Sequence, residues 1–157
     1  MKTIFRIMAL FMLLVGVSAC DDDENEAVPT LEVNAANLNG YWQLTEWNGQ
    51  PLAEGTYCYI NFIRKDKSYK MYQKFDSMYA RCISGTFEIE VDDYMNSTIK
   101  GLYNYGMGYW NNSYIVTDLF SNSMIWTVKD NLADVTKYER CDVIPQSIID
   151  EAKEDRE

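Results

Sequence analysis

The 157-residue sequence contains no histidine. Histidine is the usual general base beside a serine or cysteine nucleophile and a common metal ligand, so its absence excludes those catalytic arrangements. Paired carboxylates could still act as acid and base, and Glu88 with Glu90 is one such pair. In a strand both lie opposite Phe87 and Ile89, which is the pattern of a solvated outer face. We therefore predict a protein that is not an enzyme and that holds neither a metal nor a cofactor.

Positive charge is also scarce. Lysine and arginine number 14 against 24 aspartates and glutamates, which gives a formal net charge of -10. A chain this acidic repels a phosphate backbone, and no cluster of basic residues offsets the repulsion locally. Nucleic acid is therefore not an expected partner.

Long apolar runs are absent except at the N-terminus. Lys2 and Arg6 precede an apolar run over residues 7–17, which is shorter than the ~20 residues that a helix needs to cross a bilayer. A basic start, a short apolar run and small residues before a cleavage point are typical of an export signal. The sequence therefore predicts a signal peptide over residues 1–19.

The signal ends in Val17-Ser18-Ala19-Cys20, which resembles the bacterial lipobox. The resemblance implies that Cys20 becomes the first residue after cleavage. Its thiol would then carry acyl chains such as palmitate, and these would hold the protein on a membrane. Ordinary secretory cleavage near Ala19, which would leave Cys20 as a free thiol, is the alternative.

An acidic run, DDDENE, occupies residues 21–26. Like charges repel one another and cannot be buried, so residues 20–36 are predicted to be a disordered tether. A calcium loop is disfavoured, because the run lacks spaced ligands and a glycine. Acidic residues behind a lipidated cysteine resemble the surface-export signal of lipoproteins in Bacteroidetes-type bacteria. That resemblance implies a protein on the bacterial outer membrane that faces the cell surface, with the periplasmic side as the alternative.

From residue 40 onward the chain divides into eight short runs rich in Tyr, Ile, Phe, Val and Thr, separated by polar turns. Such runs predict β-strands, and the short joints favour antiparallel neighbours. We therefore predict an all-β fold, an eight-stranded antiparallel up-and-down barrel, with a sandwich as the alternative. A short C-terminal helix is predicted to begin at Pro145. The predicted strands are Gly40–Trp47, Thr56–Arg64, Ser68–Phe75, Cys82–Val91, Ser97–Tyr105, Tyr114–Phe120, Met124–Lys129 and Asp134–Cys141.

Alternation along these strands separates an inner from an outer face. It places Trp42 and Trp47 on opposite faces, so one is expected in the core and the other at the rim or outer surface. In residues 57–64 and 135–140 the alternation is too irregular to assign faces. The predicted interior consists of Trp42, Leu44, Ile83, Phe87, Ile89, Met124, Trp126 and Val128.

The start and the end of this strand set carry a family resemblance. Gly40-Tyr41-Trp42 resembles the Gly-x-Trp signature of lipocalin and calycin barrels, and Arg140 has the position of the arginine that this family packs across the tryptophan. The resemblance implies that residues 37–157 form a lipocalin-like domain, similar to lipocalin-like lipoproteins of Bacteroidetes-type bacteria. It further implies that Gly40, Trp42 and Arg140 are structural, with the guanidinium on the indole face.

Aromatic side chains are the candidate binding groups. A barrel with aromatic-rich strands and no catalytic machinery predicts a small apolar ligand in the barrel or at its mouth. The segment 103–112 combines glycines with aromatic and amide side chains, so a glycan that stacks on exposed rings is an alternative ligand. The alternative for this segment is a long hairpin loop that folds its aromatic side chains over the open barrel end. For the whole protein, a structural or accessory role without a ligand is a further alternative. The candidate residues are Tyr103, Tyr105, Tyr109, Trp110 and Trp126.

Three cysteines remain if Cys20 is lipidated: Cys58, Cys82 and Cys141. This odd number allows one disulfide with one thiol left over, and the sequence does not identify the pair. Zinc is not expected, because the cysteines are far apart in the chain and histidine is lacking.

Overall fold

A computed structural model describes residues 28–75 and 79–154. The predicted signal peptide, Cys20 and the acidic run lie outside the described residues. Within these ranges no helix is long and apolar enough to cross a membrane. The elements in chain order are α1 (Ala35–Leu38), β1 (Gly40–Trp47), β2 (Gln50–Pro51), β3 (Tyr57–Ile63), β4 (Ser68–Lys74), β5 (Arg81–Val91), β6 (Ser97–Tyr103), the single-turn helix η1 (Asn104–Gly106), β7 (Tyr114–Thr117), β8 (Ser123–Val128), β9 (Asn131–Cys141), α2 (Gln146–Glu151) and β10 (Lys153–Glu154).

Eight of these strands close into an antiparallel barrel. Their order is β5-β4-β3-β1-β9-β8-β7-β6, and β6 pairs with β5 to complete the ring. The first and last barrel strands are neighbours, with Trp42 opposite Arg140. The predicted all-β barrel with its short C-terminal helix is therefore confirmed. Closure leaves no exposed sheet edge along the ring.

The inner faces of the strands form one core of buried side chains. Of the eight predicted interior residues, seven are buried, and Ile89 is half-buried against the same core. The regular alternation of β1 is interrupted by a bulge between Leu44 and Glu46. The extra residue changes which face the following side chains occupy. As a result Trp47, although 41% exposed, lies at the rim of the barrel interior rather than on its outer wall.

A second apolar layer covers part of the outside of the barrel. The C-terminal segment packs Ile144, Ile148 and Ile149 against outward-facing aromatic side chains of β3, including Tyr57 and Tyr59. Strand β3 is therefore buried on both faces, with the burial pattern BBBBiBi. This double burial is the reason that the sequence shows no clean alternation over residues 57–64.

The two ends of the barrel differ. At one end α1 and the chain before it cover the opening, and the Leu31 amide donates to the Leu119 carbonyl (2.6 Å). The side chain of Asn34 caps α1 by accepting from the amides of Ala36 and Asn37. The chain from Leu31 to α1 therefore contacts the barrel through these bonds. We call this end the closed end and the opposite one the open end.

The three cysteines are not placed for a disulfide. Cys58 lies in the barrel core, whereas Cys82 and Cys141 belong to the outer apolar layer. Cys82 is on β5 and Cys141 on β9, with β4, β3 and β1 between them. In a closed ring of eight strands that lie about 4.8 Å apart, two strands four positions apart lie on opposite sides of the barrel, so their backbones are separated by more than the ~7 Å that a disulfide allows. The one disulfide that the number of cysteines allows is therefore not formed among Cys58, Cys82 and Cys141, which are free thiols.

Candidate ligand-binding cavity

The closed end is built around Arg140. Its guanidinium carbon lies 4.1 Å from the centroid of the Trp42 ring. Its nitrogens donate to three carbonyl groups, those of Asn37 (2.8 Å), Asn39 (2.7 Å) and Ser121 (2.7 Å). One cation therefore joins the last barrel strand to α1 and to the turn before β8, while it covers the indole.

Two neighbours adapt to this contact. The Trp42 side chain is fully buried, and its Nε1 donates to the Leu38 carbonyl (2.8 Å). Gly40 has φ +116°, and a Cβ at this position would lie 2.8 Å from Nη1 of Arg140. Only glycine combines that backbone angle with room for the guanidinium. The structure thus brings Gly40, Trp42 and Arg140 together at one end of the barrel.

Aromatic side chains fill the middle of the barrel. Trp126 is at the centre of this cluster, with its ring centroid 4.7 Å from Tyr138, 5.1 Å from Tyr114, 6.0 Å from Trp110 and 6.1 Å from Phe62. The rings meet at tilted angles, as aromatic pairs generally do. These rings lie between the packed closed end and the cavity toward the open end.

Trp110 enters this cluster from the connection after β6. The Trp110 amide donates to the Gly101 carbonyl (2.8 Å). The indole crosses the inner face of Gly101, where a Cβ would lie 2.0 Å from Cε2 of the ring. The indole Nε1 donates to the Tyr69 hydroxyl (2.7 Å). Trp110 therefore occupies the interior space that a side chain of β6 would otherwise fill.

Above the aromatic cluster, toward the open end, lies a cavity of about 230 Å³. Its floor and walls are mainly aromatic and aliphatic, and its polar groups are mostly amide, hydroxyl or carboxylate side chains. The lining residues are Leu44, Trp47, Cys58, Met71, Gln73, Phe75, Ile83, Tyr103, Trp110, Asn111, Asn112, Tyr114, Trp126, Asp134, Thr136 and Tyr138.

A tryptophan and a carboxylate stand at the mouth of the cavity. Trp47 Nε1 donates to Oδ1 of Asp134 (2.7 Å), which joins the end of β1 to the start of β9. The Trp47 ring also meets Phe75 edge to face, with centroids 5.6 Å apart. On another side Arg81 donates from Nε and Nη2 to the side-chain oxygen of Gln73 (2.8 and 2.6 Å), in the amide orientation that satisfies both groups.

Burial keeps the titratable groups of the interior neutral. It raises the pKa of the Cys58 thiol and of the Tyr69 phenol each to about 12. It also raises the pKa of Tyr138 well above its ordinary value, and the Cys58 thiol beside that phenol adds to the effect. The deepest part of the cavity therefore presents uncharged phenol and thiol groups at neutral pH.

The five predicted binding residues do not form one surface. Tyr103, Trp110 and Trp126 line the cavity. Tyr105 and Tyr109 are 83% and 50% exposed and lie outside it. Lys100 Nζ is 4.9 Å from the Tyr109 ring centroid. Because Trp110 is only 6% exposed, it cannot share a sugar-stacking platform with these two tyrosines.

Sequence reasoning missed most of the cavity wall. Alternation predicts Trp47 at the rim or outer surface, but it gives no indication of its partner Asp134. The composition of segment 103–112 indicates a binding segment, yet only the structure shows that Trp110, Asn111 and Asn112 all line the cavity. For Cys58 and Tyr138 no signal was available, because both lie in the segments where faces could not be assigned.

These features define a class of protein: an eight-stranded antiparallel barrel, closed at one end by an arginine stacked on a tryptophan, with an aromatic cavity toward the other. The profile of the family described as lipocalin-like domain matches residues 38–126, which is more than half of the chain. The chain therefore belongs to the lipocalin-like domain family. No curated protein and no solved structure matches it significantly. Members of this family are generally non-enzymatic.

Proposed function

We propose that the barrel binds a small, flat, apolar ligand in the cavity at its open end, without catalysis. The observation that carries this proposal is the aromatic cavity of about 230 Å³ above Trp126 and Trp110. The aromatic side chains that line the cavity have surface that no other side chain covers. An apolar ligand that covers this surface gains about 25 cal/mol for each Å² of apolar surface removed from water.

The size of the cavity limits the ligand. An apolar cavity of about 150 Å³ holds a benzene molecule, so about 230 Å³ suits one ring or two fused rings. This is below the roughly 300 to 1,000 Å³ of most small-molecule sites. A long-chain lipid, a sterol or a haem is therefore a poorer fit than a small aromatic compound.

The polar groups favour a ligand with one hydrogen-bonding substituent. Asn111 and Asn112 offer amide donors and acceptors, and the carboxylate of Asp134 already accepts from Trp47. The floor presents neutral phenols. A ring that enters with its substituent toward the amides would keep that substituent hydrated while its apolar body reaches Trp126.

The test is thermal unfolding and titration calorimetry with 2-naphthol, naphthalene and 1-adamantanol. We expect 2-naphthol to raise the melting temperature by several degrees at saturating concentration, because a ligand at 100 times its Kd stabilises by about 2.7 kcal/mol. Naphthalene should bind more weakly, and the globular adamantanol should not bind. Equal binding of all three, or of none, would contradict the proposal.

A matched pair of variants locates the site. Met71→Trp should fill the cavity from β4 and abolish 2-naphthol binding, since methionine is half-buried there and lines the cavity. Met107→Trp makes the same chemical change in a loop residue that is 60% exposed and should leave binding unchanged. If both variants bind equally well, the ligand is not in the barrel.

Lipid anchoring at Cys20 and a position on the outer membrane are part of the same proposal. Their support is the lipobox-like sequence and the acidic run, together with the course of the described chain, which reaches the barrel at its closed end. An anchor attached there leaves the cavity mouth at the far end. Intact-mass analysis of membrane-extracted protein should detect acyl chains that Cys20→Ala lacks, and protease treatment of whole cells should cleave a surface-exposed domain.

A further inference from the structure

A second cavity, of about 330 Å³, lies outside the barrel. It lies between the outer wall formed by β1, β3 and β4 and the C-terminal segment that leads into α2. We call it the outer groove and define it by Tyr41, Asn61, Ile63, Lys70, Val143 and Ile149. None of these residues lines the barrel cavity.

The strand register creates the polar edge of the outer groove. Tyr41 pairs with Asn61, and Asn61 pairs with Lys70, so the three side chains form one row across β1, β3 and β4. Alternation directs this row outward, since Phe62 and Tyr69, the neighbouring residues along β3 and β4, are buried in the barrel core. The wall of the barrel therefore separates the groove from the cavity inside.

The opposite edge is held in place by an ionic contact. Glu151 of α2 pairs with Lys74 Nζ (2.5 Å), and its other oxygen accepts from the Tyr57 hydroxyl (3.3 Å). Both partners belong to the barrel wall. Ile144 anchors the start of the same segment and is only 3% exposed. The groove thus exists before any ligand binds, which reduces the ordering cost of binding.

The groove combines exposed apolar walls with one cation. Val143 is 65% exposed, and Ile63 and Ile149 are half-buried. Lys70 is exposed and forms no ion pair with any residue in the ranges 28–75 and 79–154. An unpaired ammonium beside an aliphatic groove is locally complementary to a negative group that carries an apolar tail.

We propose that the outer groove binds an anionic amphiphile, a carboxylate with a medium-length apolar tail. The carboxylate pairs with Lys70 and accepts a hydrogen bond from the Asn61 amide, and the tail lies along Ile63, Val143 and Ile149. On the scale of an apolar cavity of about 150 Å³ that holds the six carbon atoms of benzene, a groove of about 330 Å³ has room for the ten non-hydrogen atoms of octanoate. This site is independent of the barrel cavity.

Octanoate is the probe, and methyl NMR of the full domain is the readout. We expect octanoate to shift the methyl signals of Ile63, Val143 and Ile149. 1-Octanol, which has the same tail without the charge, should bind more weakly, and acetate, which lacks the tail, should not bind. Shifts confined to Met71 would place the ligand inside the barrel and would overturn the proposal.

Two matched pairs of variants test the contact of the ligand's charge and the contact of its tail separately. Lys70→Gln should weaken octanoate binding by about two- to fivefold, as for other exposed ion pairs, whereas Lys65→Gln in the β3–β4 turn should not. Val143→Asp places a like charge beside the ligand and should weaken binding by about tenfold. Val91→Asp, at a valine of similar exposure (61% against 65%), should leave binding unchanged. Equal effects within either pair would refute the assigned site.

Discussion

The guanidinium of Arg140 lies over the indole of Trp42, 4.1 Å from the ring centroid, although the two residues stand near opposite ends of the domain's sequence. They meet because β1 and β9 are neighbours, and the register places the two residues directly opposite each other. Three carbonyl groups accept hydrogen bonds from the same guanidinium. The contact therefore depends on barrel closure and also stabilises it.

Removing either partner should lower the stability of the domain. Arg140→Ala should reduce the free energy of unfolding by roughly 1 to 3 kcal/mol, because stacking is lost and three acceptors lose their donor. Trp42→Ala should cost more, roughly 3 to 5 kcal/mol, because it also leaves a cavity in the core. Urea denaturation of the two single variants and the double variant measures these values.

The two losses should not add. Since each substitution removes the same contact, the double variant should be less destabilised than the sum, by about 0.5 kcal/mol or more. Binding in the cavity provides the control, because the cavity lies at the other end of the barrel and Arg140→Ala should leave its affinity unchanged. Strict additivity would mean that the stacking contributes no stability.

Gly40 should be irreplaceable for two separate reasons. Gly40→Ala forces a side chain into φ +116° and places Cβ 2.8 Å from Nη1 of Arg140. Gly49→Ala measures the cost of a positive φ without a steric clash, because Gly49 has φ +72° and open space around its Cβ position. Positive φ costs on the order of 1 to 2 kcal/mol for a residue with a Cβ, so the loss of stability at Gly40 should exceed that at Gly49. Equal losses would indicate that Arg140 moves aside freely.

The sequence was sufficient for the architecture, because one buried face gives each strand a period of two. The contact between Trp42 and Arg140 could be predicted only from the resemblance to a family. The sequence could not assign the faces of β3, since the C-terminal segment buries both of them. Nor could alternation alone orient Trp47, because the bulge after Leu44 breaks the period.

The cavity was less predictable than the fold. Trp110 is in a connection rich in glycine and aromatic residues, where an exposed ring and a buried ring have the same sequence pattern. The position of the Trp110 ring depends on Gly101 of β6, because the missing side chain of this glycine leaves the space that the indole fills. A contact of this kind, between a loop side chain and a strand glycine, produces no periodic pattern in the sequence. The distances between the cysteines could not be predicted for a similar reason, since they depend on the order of the strands in the barrel.

The buried thiol of Cys58 should make stability fall at alkaline pH. Its pKa is raised from 9.0 to about 12 by burial, so the folded state favours the protonated thiol. This contribution is complete below pH 9 and is lost as pH rises from about 9 to about 12, by up to about 1.4 kcal/mol per pH unit for one proton. Urea unfolding of the wild type and Cys58→Ala between pH 8 and pH 11 measures it. The variant should show a shallower fall above pH 9, and identical profiles would refute the role of Cys58.

The fit of Trp110 against Gly101 predicts a rescue. Gly101→Ala should destabilise the domain by about 1 to 3 kcal/mol, because its Cβ would lie 2.0 Å from the indole and the packed ring must shift. In a Trp110→Ala background the obstacle is gone, and alanine is favoured over glycine within a strand, so the same substitution should cost nothing or stabilise.

Gly85 on the neighbouring strand β5 is the control for this rescue. A Cβ on Gly85 would lie 1.9 Å from the Leu102 carbonyl oxygen, a main-chain atom that Trp110→Ala does not remove. Gly85→Ala should therefore destabilise both backgrounds to a similar extent, whereas Gly101→Ala should destabilise only the protein that retains Trp110. Urea denaturation of wild type, Trp110→Ala and the four glycine variants gives both comparisons. If Gly101→Ala is equally harmful with and without Trp110, the indole does not lie across Gly101, and the floor of the cavity must be built differently.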